Sequence, residues 1–186
     1  MVPSERTWVL QSADKARNEN EAHNLPIEYL NSINLSSMPP HRLYLKVGTP
    51  VMLLRNLDPS NGHVNGARYY ILKITNKIVY AKLATGIHKG NDILIPRILF
   101  HPEDKTIPFE MERKQFPIRP CFAITSNKSQ GQTLEKVGIY LKNHFFAHGQ
   151  LYVAMSRIGH PSKLSLYNPN LKKEYTRNVV YKEILS

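Results

Sequence analysis

Over residues 43–99 the chain alternates short apolar runs with clusters of turn-forming residues. The clusters at 48–50, 58–62 and 65–66 are rich in Gly, Pro, Asp and Asn, which favour tight turns. Short runs at such close intervals are typical of the strands of a small β-barrel or sandwich. The pattern predicts strands at residues 43–47, 51–55, 68–74, 78–84 and 93–99.

Alternation within two of these strands predicts which side chains are buried, because successive side chains of a strand point to opposite faces. In strand 68–74, the side chains expected to face a core are Tyr70, Leu72 and Ile74, and those expected to face outward are Tyr69, Ile71 and Lys73. In strand 78–84, the inward set is Val79, Ala81 and Leu83, and the outward set is Tyr80 and Lys82.

Tyrosines beside lysines on an outward face can stack on bases and neutralise phosphates, as single-strand binders do. The candidate DNA-binding residues of this region are therefore Tyr69, Lys73, Tyr80 and Lys82. A solvated strand face with amphipathic tyrosines explains the same pattern at least as well.

The two ends of the chain have different patterns. Residues 8–10 predict one short strand, and residues 26–33 are compatible with a short helix that cannot continue through Pro39 and Pro40. After residue 120 the pattern predicts a buried strand at 121–124, followed by a polar loop at 125–133. A strand at 137–141, a helix at 150–157 and a last strand at 164–167 complete the prediction. This alternation predicts an α/β parallel sheet, whose ligands bind beyond the carboxyl ends of the strands.

Charge adds a preferred partner class to this picture. The 186 residues carry 25 basic and 14 acidic side chains, a formal net charge of +11, and residues 31–102 alone hold nine basic residues against two acidic ones. Such an excess favours a polyanionic partner, with nucleic acid the first candidate, although many basic proteins bind no nucleic acid.

The lone Cys121 excludes an internal disulfide and favours a reduced, intracellular setting. No apolar run approaches the roughly 18 residues of a membrane span.

Two segments hold candidate chemistry. Residues 125–134 place hydroxyls, amides, Lys128 and Gly131 after a predicted strand, where such groups can contact phosphate oxygens. Residues 149–157 end a predicted helix on Arg157, a position that the helix dipole favours for any cation. Taken singly, each segment is more often structural than functional.

The order and spacing of these segments, however, resemble the PIF (petite integration frequency) family of superfamily-one DNA helicases, especially those associated with Helitron transposons. Residues 127–134 resemble the family's motif V and residues 152–157 its motif VI. Further blocks similar to the family's distinctive 2B segment and its tail lie at 26–32, 38–41, 45–58, 65–66, 95–98, 113–117 and 178–183.

The resemblance implies a fold and a domain order. We expect an α/β RecA-like second motor domain with a parallel sheet, interrupted by a small SH3-like β-barrel of the 2B type. Residues 1–40 would form the leading strand and connector, residues 41–118 the barrel, and residues 119–186 the rest of the RecA-like domain with motifs V and VI.

The resemblance also implies roles for particular residues. Arg157 would be the catalytic arginine that reaches the γ-phosphate and stabilises transition-state charge, as arginine fingers do. The residues expected to couple ATP to DNA are Lys128, Ser129, Gln130, Gly131 and Thr133. Asn127 stands where the family frequently has histidine, so the role of that histidine does not transfer. Arg55 is a further candidate for a DNA-facing or nucleotide-facing surface.

A nucleotide motor also needs a glycine-rich loop ending in Gly-Lys-Ser/Thr and a strand-end acid for magnesium, and neither occurs in these residues. The family places both N-terminal to Met1, so the chain is expected to be a C-terminal part that lacks the N-terminal ATP-binding domain. ATP and Mg²⁺ would be bound mainly by that missing domain, and no ATPase activity is expected without it. The expected partners are single-stranded DNA and the N-terminal RecA-like domain, with no membrane association.

The resemblance further implies 5′-to-3′ polarity, a nuclear location, and work in DNA repair, recombination or telomere maintenance. Two alternatives stay open: a non-catalytic nucleic-acid-binding module, and a decayed transposon-derived fragment. His144 and His148 are four residues apart, but no Cys or acidic residue completes a metal site, so no metal is expected.

Overall fold

The computed structural model describes residues 6–17, 25–35, 37–102, 107–169, 176, 178–181 and 183. The chain divides into two compact units, Met1–Phe122 and Ala123–Ser186. It is a mixed α/β protein, as expected, but most of its strand pairs are antiparallel. The division into segments 1–40, 41–118 and 119–186 stays a prediction.

The described residues of the first unit form three sheets and a short helix. Its five-stranded antiparallel sheet has the order β10-β4-β5-β6-β7, a three-stranded sheet has the order β2-β9-β8, and β1 pairs with β3. The strands are β1 (Trp8–Gln11), β2 (Ala13–Ala16), β3 (Arg42–Leu45), β4 (Pro50–Leu53), β5 (Arg68–Ile74), β6 (Ile78–Leu83), β7 (Asp92–Pro96), β8 (Ile98–Phe100), β9 (Met111–Gln115) and β10 (Ile118–Pro120), and the helix is α1 (Ile27–Ser32).

The β1–β3 pair and the five-stranded sheet share one apolar core. Leu43 and Leu45 of β3 pack in the same cluster as Val79, Ala81 and Leu83 of β6. Every second residue of β6 is buried, because alternate side chains of a half-covered strand face the core. The predicted inward and outward sets of this strand are therefore confirmed.

The predicted orientation of the strand at 68–74 is wrong for Tyr69, Tyr70 and Ile71 but correct for Lys73 and Ile74. Tyr69 and Ile71 are buried, whereas Tyr70 faces outward. The pairing with β6 shifts between Ile71 and Lys73, which leaves Leu72 as an extra residue on β5. This bulge resets the alternation, so Ile74 is also buried although it lies three positions after Ile71.

The strand predicted at 93–99 is two strands in different sheets. It breaks at Arg97, after β7 joins the five-stranded sheet and before β8 pairs with β9. The Arg97 guanidinium donates to the backbone oxygens of Gln11 and Asn76 and to Oε1 of Gln115. These bonds from one side chain hold three separate segments at the break.

A buried ion pair lies within the three-stranded sheet, and its arginine also binds the end of α1. Arg113 of β9 donates from Nε and Nη2 to both carboxylate oxygens of Asp14, at 2.9 and 2.7 Å, and neither side chain is exposed. The same guanidinium donates to the backbone oxygens of Leu30, Ile33 and Pro39. One side chain therefore satisfies the end of the helix and the connector that follows it.

The second unit is smaller. It contains helices α2 (Ser126–Ser129) and α3 (Gln150–Met155) and a parallel pair of strands, β11 (Val137–Tyr140) and β12 (Leu164–Tyr167). Ile139, Leu141 and Ala154 form its core. The strands expected at 137–141 and 164–167 and the helix expected at 150–157 are therefore present.

The buried strand expected at 121–124 is wrong. These residues are not in a strand, and Phe122 is 79% exposed. A parallel strand is buried only when neighbouring strands and helices cover it. In the described ranges this segment belongs to no strand ladder, although the Cys121 N–H donates to the backbone oxygen of Pro50 at the start of β4. None of the described helices is both long and apolar enough to cross a bilayer.

Candidate functional site

The structure brings the two motif segments of the second unit together. At one end, Ser126 Oγ in α2 donates to the backbone oxygen of Gln150, the first residue of α3, at 3.1 Å. At the other end, the backbone nitrogen of Leu134 donates to the backbone oxygen of Arg157 at 2.8 Å. The loop of residues 126–134 is therefore attached at both ends to α3 and to the residues that follow it.

Hydrogen bonds inside this loop determine which groups are available to a ligand. Ser129 is buried, and its Oγ donates to the backbone oxygen of Ser126 at 2.6 Å, so this hydroxyl stabilises the turn. Gly131 has a φ of 76°, which allows the chain to turn after α2. The other predicted coupling residues, Lys128, Gln130 and Thr133, are exposed.

Arg157 lies two residues after α3 and its guanidinium folds back onto the last turn of that helix. Nε donates to the backbone oxygen of Val153 at 2.8 Å, and Nη2 donates to Ser156 Oγ at 2.8 Å. A cation is stabilised there by the negative end of the helix dipole. No carboxylate in the described part of the chain pairs with Arg157 or with Lys128. The attached segments thus present two cations that an anion can bind.

In the first unit, the outward face of the five-stranded sheet carries a second candidate site. Tyr70 of β5 lies opposite Lys82 of β6, and Lys73 of β5 lies opposite Tyr80 of β6. The side chain of Leu94 on β7 extends the second of these rows. Tyr70 is 52% exposed and Tyr80 is 37% exposed. The structure therefore places three of the candidate residues, Lys73, Tyr80 and Lys82, next to one another on this face.

Tyr69, the remaining candidate of this face, is excluded from it. Its side chain is 0% exposed, and its hydroxyl is hydrogen-bonded to Nδ1 of the buried His63 at 3.1 Å. Burial raises the pKa of Tyr69 to about 12. Tyr70, which alternation had assigned to the core, takes its place. The bulge at Leu72 turns Tyr70 outward in place of Tyr69. A local sign of it in the sequence is the spacing of Ile71 and Ile74, two β-branched residues that are three rather than two positions apart.

Two other candidate features lie outside these sites. Arg55 lies beyond the end of β4, with its guanidinium 5.5 Å from the ring centroid of Phe100. His148 stacks on Tyr181 and accepts the Tyr181 backbone N–H, and no group of three or more metal-ligating residues occurs among the described residues. A cleft of about 580 Å³ beside β7 borders the second site at Leu94 and is also lined by Asp58 and His63, but no residue of motif V or motif VI lines it.

Asp58 is ordered by its own turn. Hydrogen bonds from Asn61 and Ser60 lower the pKa of its carboxyl group from the usual value of 3.8. The carboxylate is therefore ionised and already engaged with its neighbours. Its hydrogen bonds to Ser60 and Asn61 stabilise the turn at residues 58–63.

Comparison with known proteins connects the chain to one group of enzymes. The family model described as "DNA helicase Pif1, 2B domain" matches residues 28–74. The ATP-dependent DNA helicase Pif1 of Bdellovibrio bacteriovorus is 31% identical over 144 residues, which are 76% of this chain and 31% of that protein. The Campylobacter jejuni Pif1 is 32% identical over 165 residues, 83% of this chain and 36% of that protein. Xenopus laevis PIF1 is 34% identical over 130 residues, 68% of this chain and 19% of that protein.

Solved structures of the same group share the fold. The Pif1 helicase of Candida albicans aligns with a TM-score of 0.69 at 24% identity, over 98% of this chain and 43% of that one. Bacteroides Pif1 bound to single-stranded DNA aligns with a TM-score of 0.64 at 22% identity, over 98% of this chain and 39% of that one. The chain thus spans well under half the length of these relatives.

Proposed function

Because this chain belongs to the Pif1 family of DNA helicases, we propose that it works as the C-terminal part of an ATP-dependent 5′-to-3′ DNA helicase. In this proposal the complete enzyme binds ATP and Mg²⁺ mainly through an N-terminal RecA-like domain. The residues of this chain supply single-stranded DNA contacts and one arginine directed at the γ-phosphate.

Each unit has a part in the proposal. The second unit, with its parallel β11–β12 pair and the helix α3, is the carboxyl-terminal portion of a RecA-like motor domain. The β-rich part of the first unit is an SH3-like insertion of the 2B type. The match of residues 28–74 to a 2B-domain family supports this assignment.

The observation that carries the mechanism is the double attachment of the 126–134 loop to α3. Ser126 is bonded to the start of the helix, and Leu134 is bonded to Arg157 just after its end. A DNA strand that contacts the exposed Lys128 and displaces the 126–134 loop therefore also moves the segment that holds Arg157. This connection couples the position of the DNA strand on the loop to the position of the Arg157 guanidinium, which faces the nucleotide.

Arg157 has to change partners to act. When a triphosphate approaches, the guanidinium exchanges its bonds to Val153 O and Ser156 Oγ for two parallel bonds to phosphate oxygens. A planar guanidinium can make this fork, whereas an ammonium group cannot. Positive charge placed on the γ-phosphate stabilises the charge that spreads over its oxygens in the transition state.

The test joins this chain to a family N-terminal domain that contains the Gly-Lys-Ser/Thr loop, and measures ATP hydrolysis stimulated by single-stranded DNA. Arg157→Ala and Arg157→Lys are both expected to lower kcat by about 10³-fold, while affinity for DNA without nucleotide stays unchanged. Lys163→Ala removes an exposed cation of the same unit outside both motifs and serves as the matched control. Unchanged hydrolysis in Arg157→Ala would refute the proposal.

A second candidate function is a nucleic-acid-binding module without catalysis. The exposed tyrosines and lysines of the five-stranded sheet favour it, because they belong to the first unit and require no nucleotide. The joined protein separates the two candidates. A module binds DNA equally well with or without ATP and gains no Arg157-dependent hydrolysis from the added domain.

A further inference from the structure

We infer that the outward face of the five-stranded sheet is a stacking surface for single-stranded nucleic acid, with its bases held on Tyr70 and Tyr80. This tyrosine face consists of Tyr70, Lys73, Tyr80, Lys82 and Leu94. The inference rests on the proposed function only for the choice of nucleic acid as partner.

Strand register places the two rings where consecutive bases can use them. Tyr70 lies opposite Lys82, and Tyr80 is two residues before Lys82 on the same face of β6. The two tyrosines are therefore diagonal cross-strand neighbours, roughly 7–8 Å apart at their Cα atoms. Leu94 lies opposite Tyr80 and extends the apolar row by one strand. Rings at this spacing accommodate bases of one extended strand.

The charges of the face are placed for a backbone of phosphates. Lys73 Nζ lies 5.9 Å from the centroid of the Tyr80 ring, and no described carboxylate pairs with it. Lys82 is 3.5 Å from the Asp92 carboxylate, but both side chains are about half exposed or more. An exposed pair at this distance contributes little to stability, so a phosphate can readily replace Asp92 as the partner of Lys82.

The mixture of rings and cations distinguishes this face from a protein-docking patch. The centre of a protein interface is depleted in charged residues and closed by a polar rim. Here Lys73 and Lys82 stand directly opposite the tyrosines, inside the cluster. The formal charge of +11 over the whole chain favours a polyanion in the same way.

The test uses the whole 186-residue chain and a fluorescein-labelled oligothymidylate, which has no secondary structure, with anisotropy measured over a series of salt concentrations and without nucleotide. Tyr70→Ala and Tyr80→Ala are each expected to weaken binding about 5-fold to 100-fold, as the loss of one stacked base predicts. Tyr70→Phe keeps the ring and is expected to bind like the parent. Tyr44→Ala is the matched control, because Tyr44 is 56% exposed on β3, in another sheet.

Two charge variants test the face independently of the tyrosines. Lys73→Ala is expected to reduce the slope of log affinity against log salt by about 0.7, the value for one phosphate contact on a single strand. Asp92→Asn is expected to raise the affinity severalfold, because it frees Lys82 and removes a like charge from the path of the backbone. A purely structural role for these residues predicts no gain of binding.

The inference is overturned if Tyr70→Ala binds as tightly as Tyr44→Ala and Asp92→Asn gives no gain, because single-stranded nucleic acid then does not use this face. Should Tyr70→Ala fail to fold, as judged by circular dichroism, Tyr80→Ala and the two charge variants decide the question. Two readouts separate this inference from the proposed function. The inference fails if Tyr70→Ala leaves oligonucleotide binding by this chain unchanged, whereas the proposed function fails if Arg157→Ala leaves hydrolysis in the joined protein unchanged.

Discussion

Replacement of Arg113 by alanine is expected to destabilise the first unit by about 3–5 kcal/mol, the usual cost of removing one partner of a buried ion pair. Arg113 and Asp14 have no exposed side-chain surface, and they are joined by two hydrogen bonds of 2.9 and 2.7 Å. Without the guanidinium, a carboxylate stays buried with His41 as its remaining ionisable neighbour, 3.6 Å away.

Backbone oxygens that lose their donor add to the loss of stability in Arg113→Ala. The oxygens of Leu30, Ile33 and Pro39 accept from Arg113 at 2.9, 2.9 and 3.2 Å. A buried acceptor that loses its donor costs about 1–3 kcal/mol, but water entering the vacated space can satisfy some of them. The figure of about 3–5 kcal/mol for the ion pair alone is therefore a lower bound on the loss of stability. Against a typical total stability of about 5–15 kcal/mol, this loss removes a large share of the stability of the first unit.

Urea unfolding followed by the fluorescence of Trp8 measures this effect, because Trp8 is the one tryptophan of the chain and packs against the core of the first unit. Arg113→Lys keeps the charge but loses the fork, so we expect a smaller loss. The double variant Asp14→Leu/Arg113→Met removes both charges and should be more stable than Arg113→Ala. A loss below about 1 kcal/mol in Arg113→Ala, or a double variant no better than the single one, would refute the argument.

Three further outcomes follow from single positions. Gly62→Ala should cost more free energy of unfolding than Gly48→Ala, because both have positive φ, near 78° and 84°, but only at Gly62 does an added Cβ meet His88, at 3.0 Å. Burial lowers the pKa of His41 from its usual 6.5, so the unfolded state takes up the proton first. Stability should therefore fall as pH drops below about 6.5 and towards the lowered pKa, with a pH slope that His41→Asn reduces in urea titrations. Tyr69→Phe should lower the free energy of unfolding by about 1 kcal/mol, because it removes the buried hydrogen bond to His63, and an unchanged urea midpoint would contradict the contribution of that bond.

The positions of most strands and helices, and the identity of the family, were accessible from the order of residues. The alternation of Val79, Ala81 and Leu83 depends only on the two-residue period of a strand, and the structure buries all three. The family could be inferred because motif blocks stand at a characteristic spacing along the chain. These features are local or linear, so they require no knowledge of what folds against them.

Other features depend on partners that are distant in the sequence. The bulge that exposes Tyr70 and buries Tyr69 is a shift in the register between β5 and β6, so it is defined only once the two strands pair. Arg113 binds Asp14 across 99 positions, and Arg97 reaches Gln11 across 86. Neither partner can be identified by periodicity.

The same distinction applies to the candidate sites. Residue types alone pointed to Lys128 and Arg157, yet the bond between Leu134 and the Arg157 backbone, which connects the two motifs, appears only after folding. Likewise Tyr80 and Lys73 were predicted together, while Tyr70 joined them through a one-residue shift in register. A shift of one residue turns a side chain to the opposite face of a strand, and the free energy that selects the register comes from the whole packed core.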